Sequence, residues 1–446
     1  MDRATQSPWS EQRPQKTIIQ EADFRPLLST QGKELARVCN GLLESSVEQW
    51  TQRQLVHLYR SATEVESYLD GFGARKNRHY FRVCEVIACV RWLAHGTSSL
   101  VHLHGNLSAY DGEQRAWADE QLEPRVTKAA IGIGGILFNV LQGLSNEWVN
   151  AGLEWPNGAL RVESIKAGPG LVHLPNDRLE DRSPANGDGS QPHGARCANR
   201  LLVLARGWSS QATKEVNGLK ERQEFMANYC TEVIARRFEA RMHNLRSTYD
   251  TWVSGSEEER DNPSLLTLRA TVGEVLALLE AVTALTHLYE RHDIYERNGE
   301  SRRLFESLVN QEELLGFIIN DGVAVAYECL NRAVPTAEAI LDRLAIKQSI
   351  TLQLPEGLIM HARPLSLIVG IAQKHETPID MQVAGQTCTA ASMMQMLVLV
   401  GTYPDERNYG FTGDPKALRD MELLFLHRLG EDGFDEFPPE LGYLRP

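Results

Sequence analysis

Four consecutive residues, His361-Ala362-Arg363-Pro364, combine the side chains needed to handle an anion. They open HARPLSLIVGIAQKH, whose apolar residues recur at helical spacing, so the quartet falls at a helix N-terminus. Pro364 suits the first turn, because its φ is already helical and its missing N–H would have no partner there. The amides of Ala362 and Arg363 are expected to point outward, unpaired, and the helix dipole favours an anion there over an imidazolium. An imidazole in that place keeps a lone pair for nucleophilic attack. Arg363 adds a fixed cation able to make charge-assisted hydrogen bonds.

The flanking segments must hold this quartet. SITLQL alternates like a strand, PIDMQVA and QTCTA read as strands on either side of a turn at Ala384-Gly385, and NYGFTG reads as a further short strand. SMMQMLVLV is a short apolar helix with Ser392 as its N-cap, and DPKALRDMELLFLHRLG closes the segment with Asp414 as cap and Pro415 in the first turn. The order is therefore β, α, β, β, α, β, α. Met393, Met394 and Leu397 follow Ser392 on one short helix; such a helix needs an apolar anchor, yet methionine also suits a surface that meets several partners.

This order and the histidine motif together resemble the HPr phosphocarrier of the bacterial phosphoenolpyruvate-dependent phosphotransferase system, over about residues 349–432. The resemblance implies an α+β open-faced sandwich (βαββαβα). It implies that enzyme I phosphorylates His361 on Nδ1, that Arg363 and the Ala362 amide contact the phosphoryl group, that Pro364 starts the helix, and that a downstream acceptor then takes the phosphate. Ser392 matches the family's regulatory serine, the target of an HPr serine kinase; the alternative is that it is a cap and nothing more. Met393, Met394 and Leu397 match an exposed docking patch, and core packing is the competing reading for them. The chain departs from the family at Ile359, where glycine is usual, at Leu365, where a small residue is usual, and at Val400.

The rest of the chain is helix-rich. Long stretches of three- and four-residue apolar spacing predict a helical bundle over residues 25–155 and 209–332, behind a polar flexible tail at 1–24. Short leucine-rich and β-branched runs between Gly and Pro predict a β-rich insertion at 156–208, with a mobile loop at 181–196. Residues 333–348 read as a linker helix and 433–446 as an acidic, proline-bearing tail. At 446 residues the chain exceeds one core and is expected to be multidomain.

Composition narrows the function. A formal net charge of −13 disfavours nucleic acid and anionic membranes as partners. The seven cysteines form no C-x-x-C pair, so neither a disulfide framework nor a cysteine zinc site is indicated. No apolar run of signal-peptide or membrane-spanning length is read, which gives a cytoplasmic expectation. His95, His102 and His104 lack the convergence a metal needs, so no metal is expected. Gly132, Gly134 and Gly135 follow no strand and fit helix packing better than a dinucleotide, and Glu290, His292 and Glu296 read as a solvated helix face. No cofactor is expected. Two readings result: a phosphocarrier or phosphorylation-responsive regulator, and a helical interaction scaffold whose last domain docks partners without being phosphorylated.

Overall fold

The computed structural model describes residues 18–107, 117–160, 192–208, 215–293, 299–434 and 437–445. The chain divides into two compact units, one of Met1–Ser98, Ile131–Ala167 and Arg291–Asn310, the other of Ser99–Ala130, Gly168–Glu290 and Gln311–Pro446.

Helices dominate. In chain order they begin with α1 (Glu21–Gln31), α2 (Lys33–Leu43), α3 (Gln52–Gly71), α4 (Phe81–Leu107) and α5 (Glu123–Asn150). α3 shows how sequence sets such an element. Thr51 and Gln54 form a reciprocal capping box at its start, and Leu55, Leu58, Ala62, Val65 and Leu69 bury one stripe. Glu66, on that stripe, is ion-paired with Arg75 and with Arg91 Nε, the latter at 2.8 Å, so its buried charge is compensated. Helix Ala118–Asn150 is long and apolar enough to cross a membrane, but 56% of its most apolar window is buried inside the structure, which is the burial of an interior helix.

The helices continue with α6 (His193–Gly207), α7 (Leu219–Tyr229), α8 (Glu232–Trp252), α9 (Glu257–Asp261) and α10 (Ser264–Asp293). Then come α11 (Gly299–Leu308), α12 (Gln311–Gly316) and α13 (Ala324–Leu344). π-helical stretches at Ala118–Leu122 and Phe317–Val323 lead into α5 and α13.

Several sequence-based boundaries need correction. The tail at 1–24 gives way to helix at Glu21, because Phe24 and Leu28 find buried places on one face of α1. RLLVLARGW, read as part of a β-rich insertion, is helical: Ala195, Ala198, Leu201, Leu202 and Ala205 recur at helical spacing and are buried. At the start of that insertion, residues 156–160 form no strand, and residues 161–191, which include the loop at 181–196 apart from its last residues, lie outside the described residues. The linker helix at 333–348 is the second half of α13, which carries Pro335 within it and stops at Leu344, ahead of β1.

From Gln348 the architecture changes. β1 (Gln348–Gln353), β2 (Asp380–Val383), β3 (Gln386–Thr389) and β4 (Asn408–Gly413) form one antiparallel sheet in the order β1-β4-β2-β3. Between them stand α14 (Ala362–His375) and α15 (Met393–Thr402), followed by α16 (Pro415–Leu426). The hairpin between β2 and β3 turns at Ala384 and Gly385, with φ of 49° and 81°, the paired positive values of a two-residue turn that follows the strand twist. Met381, Val383, Tyr409 and Phe411 face the helices and join Ile368, Ile371, Met396, Met421 and Leu424 in one core. Asp414 caps α16 by accepting from the Lys416 amide at 2.8 Å.

Described residues of the predicted tail at 433–446 join this core. Phe437 and Leu441 are 4% and 0% exposed, and Tyr443 Oη donates to Asp420 Oδ2 at 2.6 Å. Its apolar residues outweigh its acidic ones, because Phe434, Phe437, Leu441 and Leu444 all find places on the α14–α16 side. The far end of α14 is also tied down: Glu376, in the left-handed conformation, accepts from Arg200 of α6, and its carbonyl accepts from Asn199 Nδ2 at 2.7 Å.

Candidate functional site

His361 is the N-cap of α14, at the helix N-terminus where the sequence places the quartet, and holds an extended backbone. Its Nδ1 accepts a long, 3.4 Å hydrogen bond from the Arg363 amide, while Nε2 lies 3.2 Å from Glu431 Oε1. The imidazole is 42% exposed. A carboxylate beside Nε2 favours the tautomer with its proton there, which leaves Nδ1 as the basic nitrogen facing the helix N-terminus.

The two amides expected to be unpaired differ. Among the described residues the Ala362 amide has no partner, whereas that of Arg363 is taken by the histidine ring itself. The reason is geometric: a side-chain acceptor at the N-cap reaches the second or third amide of its helix. An electrophile attacked by Nδ1 displaces only this long hydrogen bond, and it then meets both amides. Pro364 and Leu365 are buried beneath, so the side chain at 365 stays inside the core and presents nothing to the surface. Gly357, at φ 79°, turns the chain ahead of the site, and Ile359 beyond it is 71% exposed.

Arg363 is placed by the C-terminal turn. Its Nη2 donates to the Gly430 carbonyl at 2.8 Å, Nη1 lies 3.9 Å from Glu431 Oε2, and its guanidinium sits 5.4 Å from the Phe434 ring centroid. This turn passes through positive φ at Arg428, Leu429 and Gly430, with Leu429 fully buried as its anchor. Glu431, Gly430 and Phe434 are site residues the sequence reading missed. Their only signal was the acidic and aromatic content of LGEDGFDEF, and nothing in that local pattern reports a contact with residue 361.

Ser392 caps α15: its Oγ accepts from the Gln395 amide at 3.4 Å. Met393 is half-buried against the core. Met394, Leu397 and Val398 are 71%, 36% and 63% exposed, so the outer face of α15 is apolar. Elsewhere, His102 Nε2 lies 3.0 Å from Asn106 Nδ2, and His95 stacks on Tyr59. Among the described residues no group of three or more His, Cys, Asp or Glu could hold a metal ion.

No family model, curated protein or solved structure matches the chain.

Proposed function

We propose that residues 349–445 form an HPr-like phosphocarrier domain and that the chain is a cytoplasmic phosphocarrier or phosphorylation-responsive regulator of a bacterial phosphotransferase system. The observation that carries this reading is the His361 ring: part-exposed, with Nε2 against Glu431 and Nδ1 turned to the start of α14. In the proposed step, Nδ1 attacks the phosphoryl group on the phosphohistidine of enzyme I. The donor's P–N bond breaks as the new one forms. The ring then carries both substituents as a cation, balanced by the Glu431 carboxylate. The free Ala362 amide, the Arg363 amide and the helix dipole stabilise the phosphoryl oxygens. Stabilisation of this kind stays moderate because the site is open to water, and a carrier must also release its phosphate. Arg363 reaches the phosphoryl group by leaving Gly430. The exposed face of Met394, Leu397 and Val398 is the proposed docking patch for enzyme I and the downstream acceptor, with Met393 anchoring it. Ser392, at its edge, is the proposed target of a serine kinase.

The scaffold reading has an observation of its own, since Glu431 and the Gly430 carbonyl already engage the two groups that would receive an anion. Incubation with enzyme I and phosphoenolpyruvate, followed by peptide mapping under mildly alkaline conditions, separates the two. The carrier predicts acid-labile phosphate on the peptide containing His361, abolished by His361→Ala and slowed by Arg363→Ala. Label that persists on the His361→Ala chain, or a wild-type chain that takes none, leaves the scaffold.

A further inference from the structure

Apart from the proposed phosphocarrier site, helices of the second unit enclose a cleft with a charge opposite to that of the chain. Its volume is about 1000 Å³, and its lining includes His102, Arg246, Arg269 and Arg332 but, among the described residues, no aspartate or glutamate. A protein of net charge −13 has gathered three guanidinium groups around one hollow.

The compensation is incomplete. Arg246 Nε and Arg269 Nη2 lie 2.7 and 3.0 Å from Asp250, so two cations share one carboxylate. Arg332 lies over the Trp117 ring, 4.3 Å from its centroid, and among the described residues it has no carboxylate partner. Stacking holds a guanidinium in a fixed plane while leaving its N–H edge free to donate. The backbone accommodates Arg246 as well: a Cβ built on Gly273, inside α10, would stand 2.9 Å from Arg246 Nη1. The first-turn hydroxyls of Ser264 and Thr267 also line the cleft, but the adjoining amides of Leu265 and Leu266 are already bonded to Asn262 and Pro263 carbonyls. The guanidinium groups, rather than the helix end, therefore supply the attraction.

We propose that this cleft binds a phosphorylated small molecule. Planar, rigid donor forks match the oxygens of a phosphoryl group, and three of them exceed what a single carboxylate requires. The volume is that of a metabolite or nucleotide site. Leu266 and Ala270, on the same wall, offer apolar surface to the uncharged part of the ligand. The chain's overall charge opposes nucleic acid as the occupant.

The test is calorimetric titration of the full chain with ATP, AMP, fructose 1,6-bisphosphate and orthophosphate, with EDTA present, at physiological ionic strength. At least one organic phosphate should bind with Kd of about 100 µM or tighter, and its dephosphorylated counterpart should not. Arg332→Ala should weaken that binding by about tenfold or more. Gly273→Ser, which displaces the Arg246 guanidinium while suiting a helix, should weaken it too, and both variants are checked for unchanged thermal unfolding. His361→Ala should leave the affinity unchanged, so this result stands apart from phosphotransfer. Absence of binding by every probe, or equal affinity in the folded Arg332→Ala and Gly273→Ser variants, overturns the proposal.

Discussion

Replacing Glu431 with Gln keeps the side chain's shape and removes its charge. The carboxylate faces His361 Nε2 at 3.2 Å and Arg363 Nη1 at 3.9 Å. A hydrogen bond to a charged group contributes about 1.5–3 kcal/mol in shielded surroundings. Here the His361 and Arg363 side chains are 42% and 43% exposed. Solvent screening brings the coupling down to about 1 kcal/mol. The glutamine amide can either accept from Nε2–H or donate to a bare Nε2, so the ring is no longer held to one tautomer. Since about 1.4 kcal/mol is a factor of ten, the initial rate of phosphoryl transfer to His361 should fall about fivefold. The assay is the initial rate of label incorporation from phosphoenolpyruvate through a fixed amount of enzyme I, with thermal unfolding as the control for folding. An unchanged or faster rate in a normally folded Glu431→Gln chain would refute the orienting role and make the carboxylate a repulsive neighbour of the phosphate.

Three further outcomes are expected. Leu441→Ala empties a fully buried place in the core beneath α14 and should cost about 2–5 kcal/mol in chemical denaturation; a change within about 0.5 kcal/mol contradicts the folded-back tail. Ser392→Ala removes the cap of α15 and should destabilise by about 1 kcal/mol in the same experiment, while leaving phosphorylation of His361 intact. Glu280 is held above its ordinary value of 4.5, first by burial and then by Glu239, against a hydrogen bond from Ser99 and the charge of His243. An acid whose folded pKa is raised binds more protons folded than unfolded, so its contribution to stability is complete at low pH and is lost as pH rises. Glu280→Gln should therefore stabilise at pH 7, with the advantage shrinking as pH falls toward and below 4.5. A stabilisation independent of pH contradicts the assignment.

The residues that carry local signals were the legible ones. His361, Pro364, Asp414 and Pro415 stand where N-cap and first-turn chemistry places them, and Ala384-Gly385 makes the hairpin its φ values require. Continuous apolar runs misled: Leu201-Leu202-Val203-Leu204 reads as a buried strand or a helix with equal ease, and packing on the neighbouring helices decides. The linker helix read at 333–348 has no separate start, because α13 runs unbroken from Ala324 through Pro335 to Leu344. Glu431 and Phe434 reach the site only through a turn anchored by the fully buried Leu429. A contact between positions 361 and 431 leaves no periodic trace in a single chain. The cleft around Arg332 escaped for the same reason, its arginines being brought together from three different helices.

The regiochemistry of His361 phosphorylation tests the account most directly. Phosphorus–nitrogen correlations in the NMR spectrum of the chain, phosphorylated through enzyme I with labelled imidazole, report which ring nitrogen carries the group. Attachment at Nδ1, with Nε2 still protonated beside Glu431, is the predicted result. Attachment at Nε2, or a phosphoryl group on any other residue while His361 stays bare, contradicts it.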